Sequence, residues 1–252
     1  MTDINVTSIV LASSLVFISL LFSYFQKLKL EKDIIISIIR AIVQLVIVGY
    51  ILEYIFGLQN PLFTTCLLLV MIFNAAYNAG KRGSKIKHSV IISFVSIGIG
   101  TAVTLCILVF SGVIKYEPYQ IIPVGGMIIS NSMVALGLCY KQITNDIKQK
   151  SEEVMTKLSL GADILPASID IIRDSIRTGM IPTIDSAKTL GIVSLPGMMT
   201  GLILAGASPL KAIRYQIIVT FMLLGTTSIS SFIACYMAYR GFFNNRKQLL
   251  IP

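Results

Sequence analysis

The sequence predicts an all-α fold: one polytopic transmembrane helix bundle over residues 1–252, with about seven spans, the N-terminus outside and the C-terminus in the cytoplasm. Three observations carry this. Hydrophobic residues make up 55% of the chain and charged residues 13%, against about 25% charged in a soluble domain. Apolar runs close to the roughly 20 residues needed to cross a bilayer recur at about 6–26, 34–56, 62–79, 90–112, 119–139, 190–206 and 213–238. Basic residues alternate between the connecting loops, as they do in proteins of the cell membrane, where Lys and Arg collect on the cytoplasmic side.

The first run has no Lys or Arg before Lys27, unlike a cleaved signal, and reads as a retained helix. Lys27, Lys29 and Lys32 follow it, whereas the loop FGLQNP after the second span is uncharged. Lys81, Arg82, Lys85 and Lys87 follow the third span, and Lys115 is the one basic residue after the fourth. The tail carries Arg240, Arg246 and Lys247. The turn holding Lys211 and Arg214 fits least well, because the alternation assigns it outside. If 190–206 were re-entrant, six crossings would remain and the tail would face outward. The net charge of +9 is accounted for by these loops, so the bilayer is the partner it indicates and nucleic acid is not.

The second span carries Arg40 and Gln44, four apart and so on one helix face, with Glu53 near its far end. An ionisable residue inside a span marks a functional site or, near an end, snorkels to the headgroups. Both readings of Arg40 stand. Asn74 and Asn78 in the third span are spaced by small residues and suit helix–helix hydrogen bonds. Two runs contain helix breakers. The fifth has Pro123, Gly125 and Gly126 followed by Ser130, Asn131 and Ser132; the sixth has Pro196, Gly197 and Gly201 around Met198 and Met199. A proline removes a backbone donor, and a break in hydrocarbon survives only inside protein or beside water. Pro123, Pro196, Gly197 and Gly201 are therefore hinge candidates, as transporters build pathways from interrupted helices.

Between these runs, residues 140–188 hold seven basic and seven acidic residues, yet their apolar positions recur at helical spacing. Gly161 and Pro166 mark a turn between two pieces. Such an amphipathic cytoplasmic segment either lies on the membrane or docks a soluble partner.

Several chemistries find no support. Cys66, Cys106, Cys139 and Cys235 form no CxxC pair, and His88 is the single histidine. No phosphate-binding loop, HExxH, GxSxG or EF-hand pattern is present. No residue is assigned as catalytic, no cofactor is expected in the chain, and no acidic or histidine cluster designates a metal site. The methionines at the breaks read as adaptable packing groups.

The pieces RAIVQLVIVGYIL (Arg40–Leu52), PVGGMIISNSM (Pro123–Met133), LSLGAD (Leu158–Asp163), IRDSIRTGMIPTI (Ile172–Ile184) and GIVSLPGMMTGLILAGASPLKAIRYQI (Gly191–Ile217) resemble the FetB-type iron-export ABC permeases, a family with plant relatives associated with aluminium tolerance. The resemblance implies a transport subunit that is not itself an enzyme, working as a permease dimer with a separate cytoplasmic ATPase that holds ATP–Mg. It implies that the LSLGAD region docks on that ATPase, with Glu152, Glu153, Gly161, Asp163, Arg173 and Arg177 as coupling candidates. Arg40, Gln44, Asn74, Asn78, Asn131 and Met198 would line or brace the path. Two other functions compete: an ion-coupled secondary transporter, for which Glu53 is the available carboxylate, and a membrane scaffold that recruits a cytoplasmic protein through 140–188.

Overall fold

The computed structural model describes residues 6–58, 60–244 and 246–250. Among the described residues it is nearly all helical: α1 (Val6–Phe25), α2 (Glu31–Leu58), α3 (Pro61–Arg82), α4 (Ser89–Phe110), α5 (Pro118–Gln149), α6 (Ser151–Ser159), α7 (Ile164–Thr189), α8 (Gly197–Leu204) and α9 (Pro209–Ala238), followed by a 3-10 turn, Tyr239–Phe242. Five of them, α2, α3, α4, α5 and α9, are long and apolar enough to cross a membrane. Contacts divide the chain into two units, residues 1–59 and 60–252. In the first, α1 and α2 form a hairpin whose turn is tied by Ser23, which donates to Glu31 Oε1 at 2.8 Å and accepts from the Leu30 amide at 3.2 Å.

In the second unit α5 is the central element, packed on α3, α4, α7 and α9. Its buried residues, from Ile121 through Ile128, Leu136 and Tyr140 to Ile147, run on through its length. α3 and α4 form a tight hairpin: the Ser89 hydroxyl donates to the Gly80 carbonyl at 2.9 Å. Three hydroxyl bridges join helices distant in sequence. These are Ser93–Tyr140 at 2.9 Å, Thr104–Thr226 at 2.6 Å and Ser230 to Ser132 at 3.3 Å. In lipid such bonds hold helices in register, each contributing about 0.6 kcal/mol.

Three expectations are corrected. First, 190–206 is not a continuous spanning helix. Gly191, just past the end of α7, takes the left-handed conformation (φ +79°) that terminates helices at low steric cost. Residues 190–196 then turn, with the amides of Val193 and Ser194 folding back onto the Thr189 carbonyl at 3.0 and 3.4 Å. α8 has eight residues, about 12 Å at 1.5 Å per residue, far short of a hydrocarbon core of about 30 Å. Second, Pro123 does not break its helix. It lies near the start of α5, which continues through it to Gln149; the donor lost is one bond, and Gly125 and Gly126 beyond it bring Leu68 and Met71 of α3 close. Third, 140–188 is not all peripheral. α5 extends into it, α6 and the turn at 160–163 form its tip, and α7 returns between α5 and α9 with Ala167, Ile171, Ser175 and Gly179 buried.

Candidate functional site

α7 runs antiparallel to α5. Gly179 backs onto Cys139 and the Ala135 carbonyl, and farther along α7, Thr183 and Ser186 share a chamber with Asn131, near the midpoint of α5. The helix therefore climbs beside a membrane-length neighbour and unwinds halfway along it. The chamber, about 240 Å³, sits at the unwound stretch. α7 contributes Thr183, Ser186 and Ala187; the link contributes Leu190, Ser194 and Pro196; α5 contributes Asn131; and α9 contributes Gln216, Thr220 and Leu223.

Local chemistry sets these side chains. Asn131 Nδ2 donates to the Met127 carbonyl at 2.8 Å, one turn back. The Thr220 hydroxyl donates to the Gln216 carbonyl at 2.9 Å, and the Thr200 hydroxyl to the Pro196 carbonyl at 2.7 Å. Gln216 is 9% exposed, and its Oε1 is buried without a hydrogen-bond partner. The break leaves the carbonyl end of α7 on one side of the link and the start of α8 on the other.

Of the residues singled out from the sequence, Asn131 and Pro196 reach the chamber. Met198 is partly buried against the hydrophobic core, in the first turn of α8 with Gly197; Gly201 lies in the middle of that helix. Asn74 and Asn78 are elsewhere, on α3, where Asn78 Nδ2 donates to the Asn74 carbonyl at 2.8 Å and its side-chain oxygen at 2.7 Å. They bond along one helix, not between two. Arg40 and Gln44 are exposed on α2, in the other unit. Gln216, Thr220, Thr183, Ser186 and Ser194 escaped the sequence reading. A signal existed: Gln216 and Thr220 are polar, four apart, at the start of an otherwise apolar run.

Of the coupling candidates, Glu152, Glu153, Gly161 and Asp163 lie at or before the opposite end of α7, Arg173 lies in its first half and Arg177 near its middle. Glu152 and Glu153 lie in the first turn of α6, where carboxylates suit the helix dipole. Lys157 bridges α6 to α7, with Glu153 at 2.8 Å and Asp170 at 3.5 Å. Its ammonium is held above its usual range, chiefly by the bond to Glu153. Arg173 and Arg177 are exposed, each 3.7 Å from a carboxylate one turn back, Asp170 and Asp174. Gly161 makes the turn at φ +92°. Beside it a groove of about 750 Å³ runs between this turn and the tail. The tail is pinned there by Lys247, whose ammonium donates to Asp163 at 2.7 Å.

That bond holds the Asp163 carboxyl below its ordinary value of 3.8. A carboxylate with a depressed pKa contributes above its unfolded value and loses that contribution as pH falls through the folded one. The tail contact is thus expected to be constant from pH 5 to 8 and to loosen only in acid below the ordinary carboxylate range. Limited proteolysis of the tail across pH checks this, and Asp163→Asn should make the tail as cleavable at pH 7 as it otherwise is in acid.

The model of the uncharacterised protein family UPF0014 matches residues 6–243. The chain is 51% identical to the "Probable iron export permease protein FetB" of Escherichia coli (strain K12), over 100% of this chain and 98% of that one. It is 36% identical to "Protein ALUMINUM SENSITIVE 3" of Arabidopsis thaliana, covering 93% and 86%. It is 38% identical to the "UPF0014 membrane protein STAR2" of Oryza sativa subsp. japonica, covering 95% and 84%. No solved structure matches. A match over nearly the whole chain, extending across the chamber and the α6–α7 turn alike, places this protein in the UPF0014 family.

Proposed function

We propose that this chain is the membrane-spanning permease of an ABC exporter that carries metal, iron foremost, out of the cell. A permease dimer would work with a separate cytoplasmic ATPase that binds ATP–Mg. The observation that carries this is the unwound stretch 190–196, beside a chamber that brings amide and hydroxyl side chains together inside an apolar bundle. Irregular backbone at membrane depth is tolerated where it lines a cavity, and transporters bind cargo at interrupted helices. The name of the Escherichia coli relative supports iron as the cargo. The groove lined by Gly161 and Asp163 is the docking surface for the ATPase, with Glu152 and Glu153 on α6 and Arg173 and Arg177 on the exposed side of α7 as further contacts.

The crossing that 190–206 cannot make alone is shared. The second half of α7, the link and α8 together traverse the bilayer, so seven crossings are kept, with the N-terminus outside and Arg240, Arg246 and Lys247 in the cytoplasm. Alkaline phosphatase fused after Ala207 and green fluorescent protein fused to the C-terminus should both be active. An inactive phosphatase fusion would remove the shared crossing.

Function is tested by co-reconstituting the chain with its ATPase in proteoliposomes and following several metals and one organic anion. ATP-dependent movement of iron is expected, and none without ATP. Metal flux by the chain alone, driven by an ion gradient, would instead establish a secondary transporter.

A further inference from the structure

The tail folds back on itself beside the turn between α3 and α4. Phe243 and Leu249 form an isolated antiparallel bridge, and the Leu250 amide donates to the Phe242 carbonyl at 2.7 Å. A second pocket, of about 480 Å³, has Lys87 from the α3–α4 turn in one wall and Phe243, Asn244, Arg246, Gln248 and Leu250 from the tail in the other. Lys87 and Arg246 are its charged residues, and no carboxylate lines it. Among the described residues neither of these side chains has an ion pair. Asp163, the carboxylate bonded to the tail, is taken by Lys247. Gln248 Oε1 accepts from Asn244 Nδ2 at 2.8 Å, which leaves the Gln248 NH2 group to donate. The start of α4 and the end of the turn Tyr239–Phe242 both lie here. Their helix-end charges are of opposite sign, so the two side-chain cations set the field.

Depth identifies the guest. A Cβ at Gly83, just past the end of α3, would lie 2.8 Å from the Tyr140 ring, so the α3–α4 turn stands level with Tyr140. Tyr140 is about 33 Å along α5 from Pro118 at 1.5 Å per residue, close to one hydrocarbon thickness of about 30 Å. The pocket therefore sits where α3, α4 and α9 leave the bilayer, at the level of lipid phosphates. It is on the side that gathers Lys81, Arg82, Lys85 and Lys87, the cytoplasmic side, whose leaflet is negatively charged. Phe243 and Leu250 give the pocket an apolar wall, which suits the glycerol and first methylenes of a lipid and offers nothing to a free phosphate ion.

We propose that this pocket binds the phosphate group of an anionic lipid of the cytoplasmic leaflet, through the Lys87 ammonium, the Arg246 guanidinium and the Gln248 amide. Basic pockets at the cytoplasmic ends of spanning helices take such headgroups. Arg246 is followed by Lys247, which holds Asp163 at 2.7 Å, so a bound headgroup steadies the tail against the turn at 160–163.

The test titrates the purified full chain with dioleoyl phosphatidylglycerol and, separately, dioleoyl phosphatidylcholine, and counts bound lipid by native mass spectrometry. Phosphatidylglycerol is expected to bind at least about tenfold more tightly than phosphatidylcholine, the value of a hydrogen bond between charged groups. Lys87→Gln and Arg246→Gln should each remove most of that preference and leave phosphatidylcholine binding unchanged, with thermal unfolding confirming that both variants fold. Lys81→Gln, which removes a cation near the same level but outside the pocket, should preserve the preference. Equal binding of the two lipids would overturn the proposal. An equal loss in Lys81→Gln would also overturn it, because the preference would then belong to the basic surface as a whole. Inorganic phosphate at millimolar concentration should leave phosphatidylglycerol in place; displacement by it would make this a site for the free ion and refute the lipid.

Discussion

Gln216→Leu is expected to give a protein that unfolds at a higher temperature than the wild type yet exports metal at least about tenfold more slowly. The two effects share one cause. A buried carbonyl oxygen without a partner costs about 1–3 kcal/mol, and Gln216 Oε1 is such an oxygen. Leucine has a similar volume and nothing to satisfy, so the cost disappears. For a chain of this size each kcal/mol corresponds to roughly 2–4 °C in Tm, giving a gain of a few degrees. The same substitution removes an amide from the wall of the chamber through which the proposed permease would pass its cargo. Opposite signs for stability and activity are the signature of a group kept for function. A variant that melts lower and exports normally would show that Gln216 serves packing.

Gly179→Val is expected to abolish accumulation of folded protein, and Gly179→Ala to lower its stability by about 1–3 kcal/mol, the cost of overpacking. A Cβ at Gly179 would overlap the Cys139 sulfur and lie 2.9 Å from the Ala135 carbonyl oxygen. The sulfur can rotate aside, but the carbonyl belongs to the α5 backbone and cannot. The seam between α7 and α5 depends on this contact, and through it the position of the chamber. Gly225→Ala in α9 is the internal control: its Cβ would meet nothing within 4 Å, so it should be neutral or gain up to about 1 kcal/mol from helix propensity. Thermal unfolding in detergent reads the two alanine variants, and the yield of folded protein after extraction reads Gly179→Val.

Much of the bundle was legible because lipid imposes a simple rule, that long apolar runs become helices. It located α1 through α5 and α9 to within a few residues at most ends. It failed where a helix of the bundle is not apolar. α7 carries Arg173, Arg177, Asp185 and Lys188 on its exposed side, so its hydropathy resembles a cytoplasmic helix even though its other face packs between two membrane-length helices. The break at 191–196 was visible as Gly191 and Pro196, but an equally suggestive proline at 123 lies inside an intact helix. What separates them is position: Pro123 is near the start of a long helix with buried neighbours on both sides, whereas Gly191 takes a left-handed conformation that ends α7. Asn131 was recognisable as a polar residue in an apolar run. Gln216 and Thr220 carried the same kind of signal, but Thr183 and Ser194 did not, because they join the chamber only when α7 folds back along α5.

The hydroxyl bridges between Thr104 and Thr226 and between Ser132 and Ser230 bear on how the protein is made. Their partners in α4 and α5 leave the ribosome about a hundred residues before α9 does, as the separations of 122 and 98 show. Until α9 arrives, those hydroxyls face a bilayer that offers few partners. The two bridges therefore close only when the last long helix is inserted, and the register of α4 and α5 against α9 is the last part of the bundle to be fixed.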